Sequence, residues 1–155
     1  MKIGAIQLPE NLISEDIKEF TFKNDQAPKF LKSGEGVEVK EKGKALELIP
    51  IPNPGASTLG ATLVIDEEYE ALFRDNRVRI TIYAKGKSGA EFKALYSTAQ
   101  VGNSGWQTFE LTEEYEKFSF EYQVPNALEL QKDYLFVLPI SKNMYVKSIT
   151  FLIVN

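Results

Sequence analysis

A single tryptophan, Trp106, sits in the stretch GNSGWQ, with Gly102, Asn103, Ser104 and Gly105 before it and Gln107 after it. Small and polar neighbours leave the indole's flat face open, and such a face can stack on the apolar side of a sugar ring. The same side chain can instead plug the end of a β core. Arg79, Thr81 and Tyr83 alternate along RVRITIYAKG, which puts a guanidinium, a hydroxyl and an aromatic ring on one side of a strand. In one line these groups can hold polyol hydroxyls or a partner chain, or they can form a solvated sheet surface. Glu121 and Gln123 share a phase in EKFSFEYQVP and extend that surface if the two strands pair, with Lys93 facing it or just beyond it.

Other reactive groups are arranged less productively. Glu67, Glu68 and Glu70 form one acidic cluster and Glu113, Glu114 and Glu116 another. Glycoside hydrolysis needs two carboxylates held across the scissile bond, one with a raised pKa, and neither cluster shows the apolar surroundings that would raise it. Both read as solvated loop charge. GKSG at 86–89 has a superficial likeness to a phosphate loop but joins two strands and opens no helix, so it reads as a hairpin turn. Calcium takes carboxylate, amide and carbonyl oxygens, and Asp16, Asn24 and Asp25 are oxygen donors without a fixed metal spacing. A structural Ca2+ is therefore an open expectation with no assigned ligands. The absence of His and Cys removes thiolate nucleophiles, disulfides, cysteine zinc sites and the usual neutral-pH base.

These side chains need elements to hold them, and the pattern is that of strands. In RVRITIYAKG, Val78, Ile80, Ile82 and Ala84 alternate against the polar set. KSG then turns into AEFKALYSTA, where Phe92, Ala94 and Tyr96 alternate with Glu91, Lys93 and Leu95, so the two segments are expected to form a hairpin. Phe118, Phe120, Tyr122 and Val124 point inward before Pro125 ends their strand. A short strand runs from Thr108 to Leu111. DYLFVLPI and YVKSITFLIV are two further strands joined around Ser-Lys-Asn, the second long enough for the middle of a sheet. GVEVKEKGKALELIPI supplies Val37, Val39, Leu46, Leu48 and Ile51 around a polar turn, and ATLVID a further strand. DEEYEALFRDN, with Tyr69, Leu72 and Phe73 in helical spacing, reads as a brief helix crossing between sheets, capped by Asp66 and ended by Asp75 and Asn76.

The 155 residues suit one core, and 43% hydrophobic with 26% charged residues describes a globular chain. The expected fold is all-β, an antiparallel two-sheet sandwich of jelly-roll topology with about eight strands, an immunoglobulin-like sandwich being the competing arrangement. Residues 1–30 are expected to be an N-terminal arm or the first strand, and residues 31–155 the sandwich domain. A formal net charge of −4 argues against a broad nucleic-acid footprint. No continuous apolar run marks a signal peptide or a membrane span; the compartment stays open, the cytoplasm and a virion-like particle assembled there both fitting and the lack of cysteine not excluding export.

RVRITIYAKG, GWQTFELTEEYEKFSFEYQVP and the closing YVKSITFLIV together resemble the galactose-binding-like jelly-roll domains that include many carbohydrate-binding modules. The likeness runs from the Arg77 strand to the end, with a looser continuation upstream. It implies that Tyr83, Trp106 and Tyr115 stand where aromatics recur in such domains, and it implies noncatalytic recognition of a glycan or cell-surface polysaccharide. The resemblance transfers no binding site; the ligand-binding expectation, read from the residues themselves, is Arg79, Tyr83, Trp106, Gln107 and Glu121, with no catalytic residues. Related sandwiches also serve as subunits of phage-like heads, tails or fibres, which keeps a homo-oligomer or a particle scaffold among the expected partners. A polysaccharide-active enzyme using Asp and Glu ranks last.

Overall fold

The computed structural model describes residues 19–23, 30–52, 59–98, 101–126, 129 and 131–154. Ten strands and one helix follow in order: β1 (Glu19–Lys23), β2 (Val37–Lys42), β3 (Ala45–Pro50), β4 (Ala61–Ile65), α1 (Glu67–Phe73), β5 (Arg77–Gly86), β6 (Glu91–Ser97), β7 (Gln107–Glu110), β8 (Glu116–Gln123), β9 (Asp133–Ile140) and β10 (Met144–Ile153). They form two antiparallel sheets, a six-stranded one in the order β2-β3-β10-β5-β8 with β1 also on β10, and a four-stranded one in the order β4-β9-β6-β7. This is the two-sheet β-sandwich expected from the alternation.

Period-two patterning explains the layers. Val78, Ile80, Ile82 and Ala84 of β5 and Val146, Ile149 and Phe151 of β10 are buried, as are Phe92, Ala94 and Tyr96 of β6 and Leu135 and Val137 of β9. Rings close the gap between the sheets: Phe92 meets Phe118 edge-on with centroids 5.3 Å apart, and Tyr96 lies 5.3 Å from Tyr122 and 6.3 Å from Phe151. Such pairs add about 0.5–1.5 kcal/mol each beyond their buried area.

Long β10 is central, as its length suggested. It pairs with β5 along one edge, and β3 (at Met144–Val146) and β1 (at Ser148–Leu152) share the other. The register slips between Val146 and Ser148, a bulge that leaves Lys147 exposed where β3 gives way to β1. Within residues 1–30, therefore, Glu19–Lys23 is a strand, with Phe20 and Phe22 buried in the core.

Three local expectations are corrected. The 77–86 and 91–97 strands do not form a hairpin: β5 pairs with β10 and β8, whereas β6 pairs with β9 and β7. Both strands bury large residues on one face, and placing them in facing sheets lets those faces meet, so KSG turns between layers rather than within one. Ile51 is 46% exposed and lies outside the core. The brief helix crosses from β4 to β5 as expected, burying Tyr69 and Phe73, but Asp66 makes no side-chain capping bond. Asp75 ends the segment with a φ of 63°.

Candidate functional site

Strand register assembles one apolar surface on the outer side of the four-stranded sheet. Phe136 on β9 pairs with Thr62 on β4 and Leu95 on β6, and Tyr134 pairs with Val64 and Ser97. Leu138 pairs with Lys93, which pairs in turn with Thr108 on β7. Directly paired residues share a face, opposite in phase to buried Leu135 and Val137; Tyr134 and Phe136 are half-buried on it, while Leu95 is buried and Leu138 packs against the core cluster. The Tyr134 and Phe136 rings are nearly parallel, 15° apart in plane with centroids separated by 6.1 Å. Trp106 stands one residue before β7, whose Gln107 pairs with Ala94 at the edge of this sheet. It is 37% exposed, so the indole is presented to solvent rather than plugging the core.

The loop holding Trp106 is tied down locally. Ser104 donates its N–H to the Tyr96 carbonyl and accepts the Tyr96 N–H on its hydroxyl, at 2.9 and 3.0 Å. Asn103 accepts the Gly105 N–H at 2.8 Å, and Gly105 adopts a φ of 76°, a conformation that favours glycine. Gln107 pairs with buried Ala94, and its amide donates to the Ser104 carbonyl at 3.4 Å, so it braces the loop.

Arg79, Tyr83 and Glu121 lie on the opposite outer face, that of the six-stranded sheet. Glu121 accepts from Arg77 at 2.7 Å and from Arg79 at 2.9 and 3.1 Å, and these bonds hold its carboxyl below the usual range. Thr81 and Ser119 exchange a hydrogen bond at 2.7 Å. Tyr83 packs at 5.3 Å on Tyr115, which arrives from the segment before β8. The structure thus separates Trp106 and Gln107 from Arg79, Tyr83 and Glu121, with the core between them.

Of the acidic clusters, Glu70 is not solvated loop charge. It is buried and accepts both a close Nη2 contact and a 3.1 Å Nε bond from Arg74. Fully buried Asp133 accepts the Tyr96 hydroxyl at 2.7 Å on Oδ2, while Oδ1 has no hydrogen-bond partner among the described residues. Burial pushes the Asp133 carboxyl up from 3.8 to about 6; nearby Glu70 adds to this, while the Tyr96 bond and Arg74 oppose it. Asp16, Asn24 and Asp25 lie outside the described residues. Among the described residues no group of three or more Asp or Glu is placed to hold a metal ion.

Tyr134, Phe136 and Asp133 are not among the residues singled out from the sequence, where DYLFVLPI reads only as a further strand. Phase was the available signal: Asp133 runs with inward Leu135 and Val137, and Tyr134 and Phe136 with the outward set.

The fold is similar to that of several solved carbohydrate-binding modules. No family model matches the chain, and no curated protein does. Among solved structures, a xylan-binding domain of family 22 is similar over 89% of this chain and 96% of its own, with a TM-score of 0.59 and 15% identity. The C-terminal family 22 carbohydrate-binding module of a Clostridium thermocellum protein matches over 86% of this chain and 91% of its own, at TM-score 0.58 and 13% identity. A family 29 module complexed with cellulohexaose matches over 87% and 92%, at TM-score 0.51 and 12% identity. At these identities the likeness is one of fold.

Proposed function

We propose that this protein is a noncatalytic carbohydrate-recognition module that seats a glycan on the outer face of its four-stranded sheet. The observation that carries this reading is the pair of nearly parallel rings Tyr134 and Phe136 on β9, with exposed Trp106 just before β7 at the edge of the same sheet. Rings presented by a rigid sheet offer flat apolar surfaces to the C–H faces of sugar units at little entropic cost. Lys93, Ser97, Thr62 and Thr108 share the face of the β9 rings and supply hydrogen bonds to hydroxyls. The similar solved structures, one a xylan-binding domain and one a complex with cellulohexaose, support the same class of ligand. A protein of this kind anchors itself, and whatever it is joined to, on a polysaccharide surface.

Calorimetry against a panel of neutral oligosaccharides, including xylan and cellulose fragments, tests the reading. Removing a stacking ring costs roughly 1.5–3 kcal/mol of buried aromatic surface, so Trp106→Ala and Phe136→Ala are expected to weaken binding at least about tenfold. Trp106→Ala should lower the melting temperature less than truncation of a core ring such as Phe73 does, because the indole is 37% exposed. Failure to bind any member of a broad panel would sink the proposal.

A further inference from the structure

The other outer face holds a second arrangement with different chemistry. Where β1 ends and β3 begins along β10, Lys23, Lys44, Tyr83, Lys147 and Ser148 line a cavity of about 320 Å3. That volume lies at the lower end of the roughly 300–1,000 Å3 occupied by small-ligand sites. The β10 bulge and the β2–β3 turn bring the lysines there, from positions far apart in the chain.

Three features describe what would fill it. First, Lys23, Lys44, Lys85 and Lys147 form no ion pair with another described residue. Ammonium groups gathered without a carboxylate partner among the described residues make a local site that gains from an anion. Second, aromatic rings fix those cations. Lys147 and Lys85 stand 4.6 and 5.1 Å from the Tyr115 ring centroid, and Lys85 also lies 5.9 Å from Tyr145. Third, the Tyr83 ring, held against Tyr115, forms part of the cavity wall, and Ser148 opposite it in register adds a hydroxyl.

We propose that this cavity is a second binding site, for a sugar unit bearing a carboxylate or sulfate group, seated on Tyr83 with its anion against Lys147, Lys23 and Lys44. A phosphodiester strand fits less well. Such a polymer needs a continuous basic track, and here the patch is bounded by Glu47, which accepts from Tyr145 at 3.2 Å, and by Glu121, already bonded to Arg77 and Arg79. The site shares no residue with the Trp106 face, so it stands or falls independently of it.

The test is calorimetry on the full chain with four probes: an oligogalacturonate, a sulfated galactan oligosaccharide, a neutral xylo-oligosaccharide and an oligothymidylate. One or both acidic saccharides should bind, and which of them does so distinguishes carboxylate from sulfate as the recognised group. Lys147→Gln should weaken that binding about tenfold, the cost of one charge-assisted hydrogen bond. Tyr83→Leu should weaken it comparably, and Trp106→Ala should leave it unchanged. Raising the salt concentration should reduce it. Exposed Lys147 is free of core contacts, so its variant tests the site even where the Tyr83 variant is impaired in folding. The proposal is overturned if neither acidic saccharide binds, if Lys147→Gln binds as the parent does, or if oligothymidylate binds more tightly than both.

Discussion

Asp133 is the residue whose environment departs furthest from the ordinary. It sits at the start of β9, wholly buried, with the Tyr96 hydroxyl on one oxygen and no partner among the described residues on the other. With its folded-state pKa raised to about 6, the native protein holds a proton that the unfolded chain releases near pH 4. Its effect is therefore absent below about pH 4 and grows as pH rises to about 6, where the ionised carboxylate costs the native state about 3 kcal/mol. Asp133→Asn keeps an acceptor for Tyr96 and carries no charge. Urea titrations of parent and variant at several pH values should show the variant gaining relative stability between pH 4 and pH 6; a constant difference across that range would contradict the account. The residue was not legible as special, since nothing local in KDYLF reveals that Tyr96, 37 positions earlier, will face it. Trp106 was legible because an indole among glycines is conspicuous without knowledge of its neighbours. Arg79 and Glu121 were each visible as outward groups, but their mutual pairing depended on β5 lying beside β8, which period alone does not specify.

At the scale of elements, alternation identified the strands and their inward faces, while connectivity escaped it. The 87–89 turn has the composition of a hairpin, yet it carries the chain across the sandwich, because turn residues specify a reversal and not which sheet receives the next strand. Close backbone approaches were equally invisible. Gly60, just before β4, has a φ of 93°, and a Cβ there would come within 2.5 Å of the Val137 carbonyl oxygen on β9. Both backbone conformation and space exclude a side chain. Gly60→Ala is expected to destabilise the fold by roughly 1–3 kcal/mol, measured as a lower denaturant midpoint with an unchanged slope. Gly43, with a φ of 66° but open space around it, should tolerate alanine better, at about 1 kcal/mol. Equal losses at the two positions would show that crowding by β9 contributes nothing. In α1, Phe73 is buried against Phe20 and Phe151, so Phe73→Ala should cost about 3–5 kcal/mol despite lying in a helix of only 7 residues.

Over the whole molecule, one aromatic core joins sheets that have no strand pairing in common. Phe92 and Phe109 of the four-stranded sheet pack on Phe118 of the six-stranded one, and Tyr96 reaches both Tyr122 and Phe151. Neither sheet can keep its inner face from water without the other, so the two should unfold together. The lone Trp106 makes this directly measurable. Its fluorescence reports on the β7 edge of the four-stranded sheet, whereas far-ultraviolet circular dichroism reports on the strands of both. The two probes should trace the same denaturant transition, with one midpoint, and refolding should be slow for the chain's size, in milliseconds to seconds, because the pairings of β1 with β10 and β3 with β10 close loops of about a hundred residues or more. An earlier fluorescence transition would mean that the β7 edge, and with it the Trp106 binding face, opens independently of the core. In that case ligand on that face would raise the fluorescence midpoint alone; with a single cooperative unit, ligand on either outer face must raise both midpoints equally.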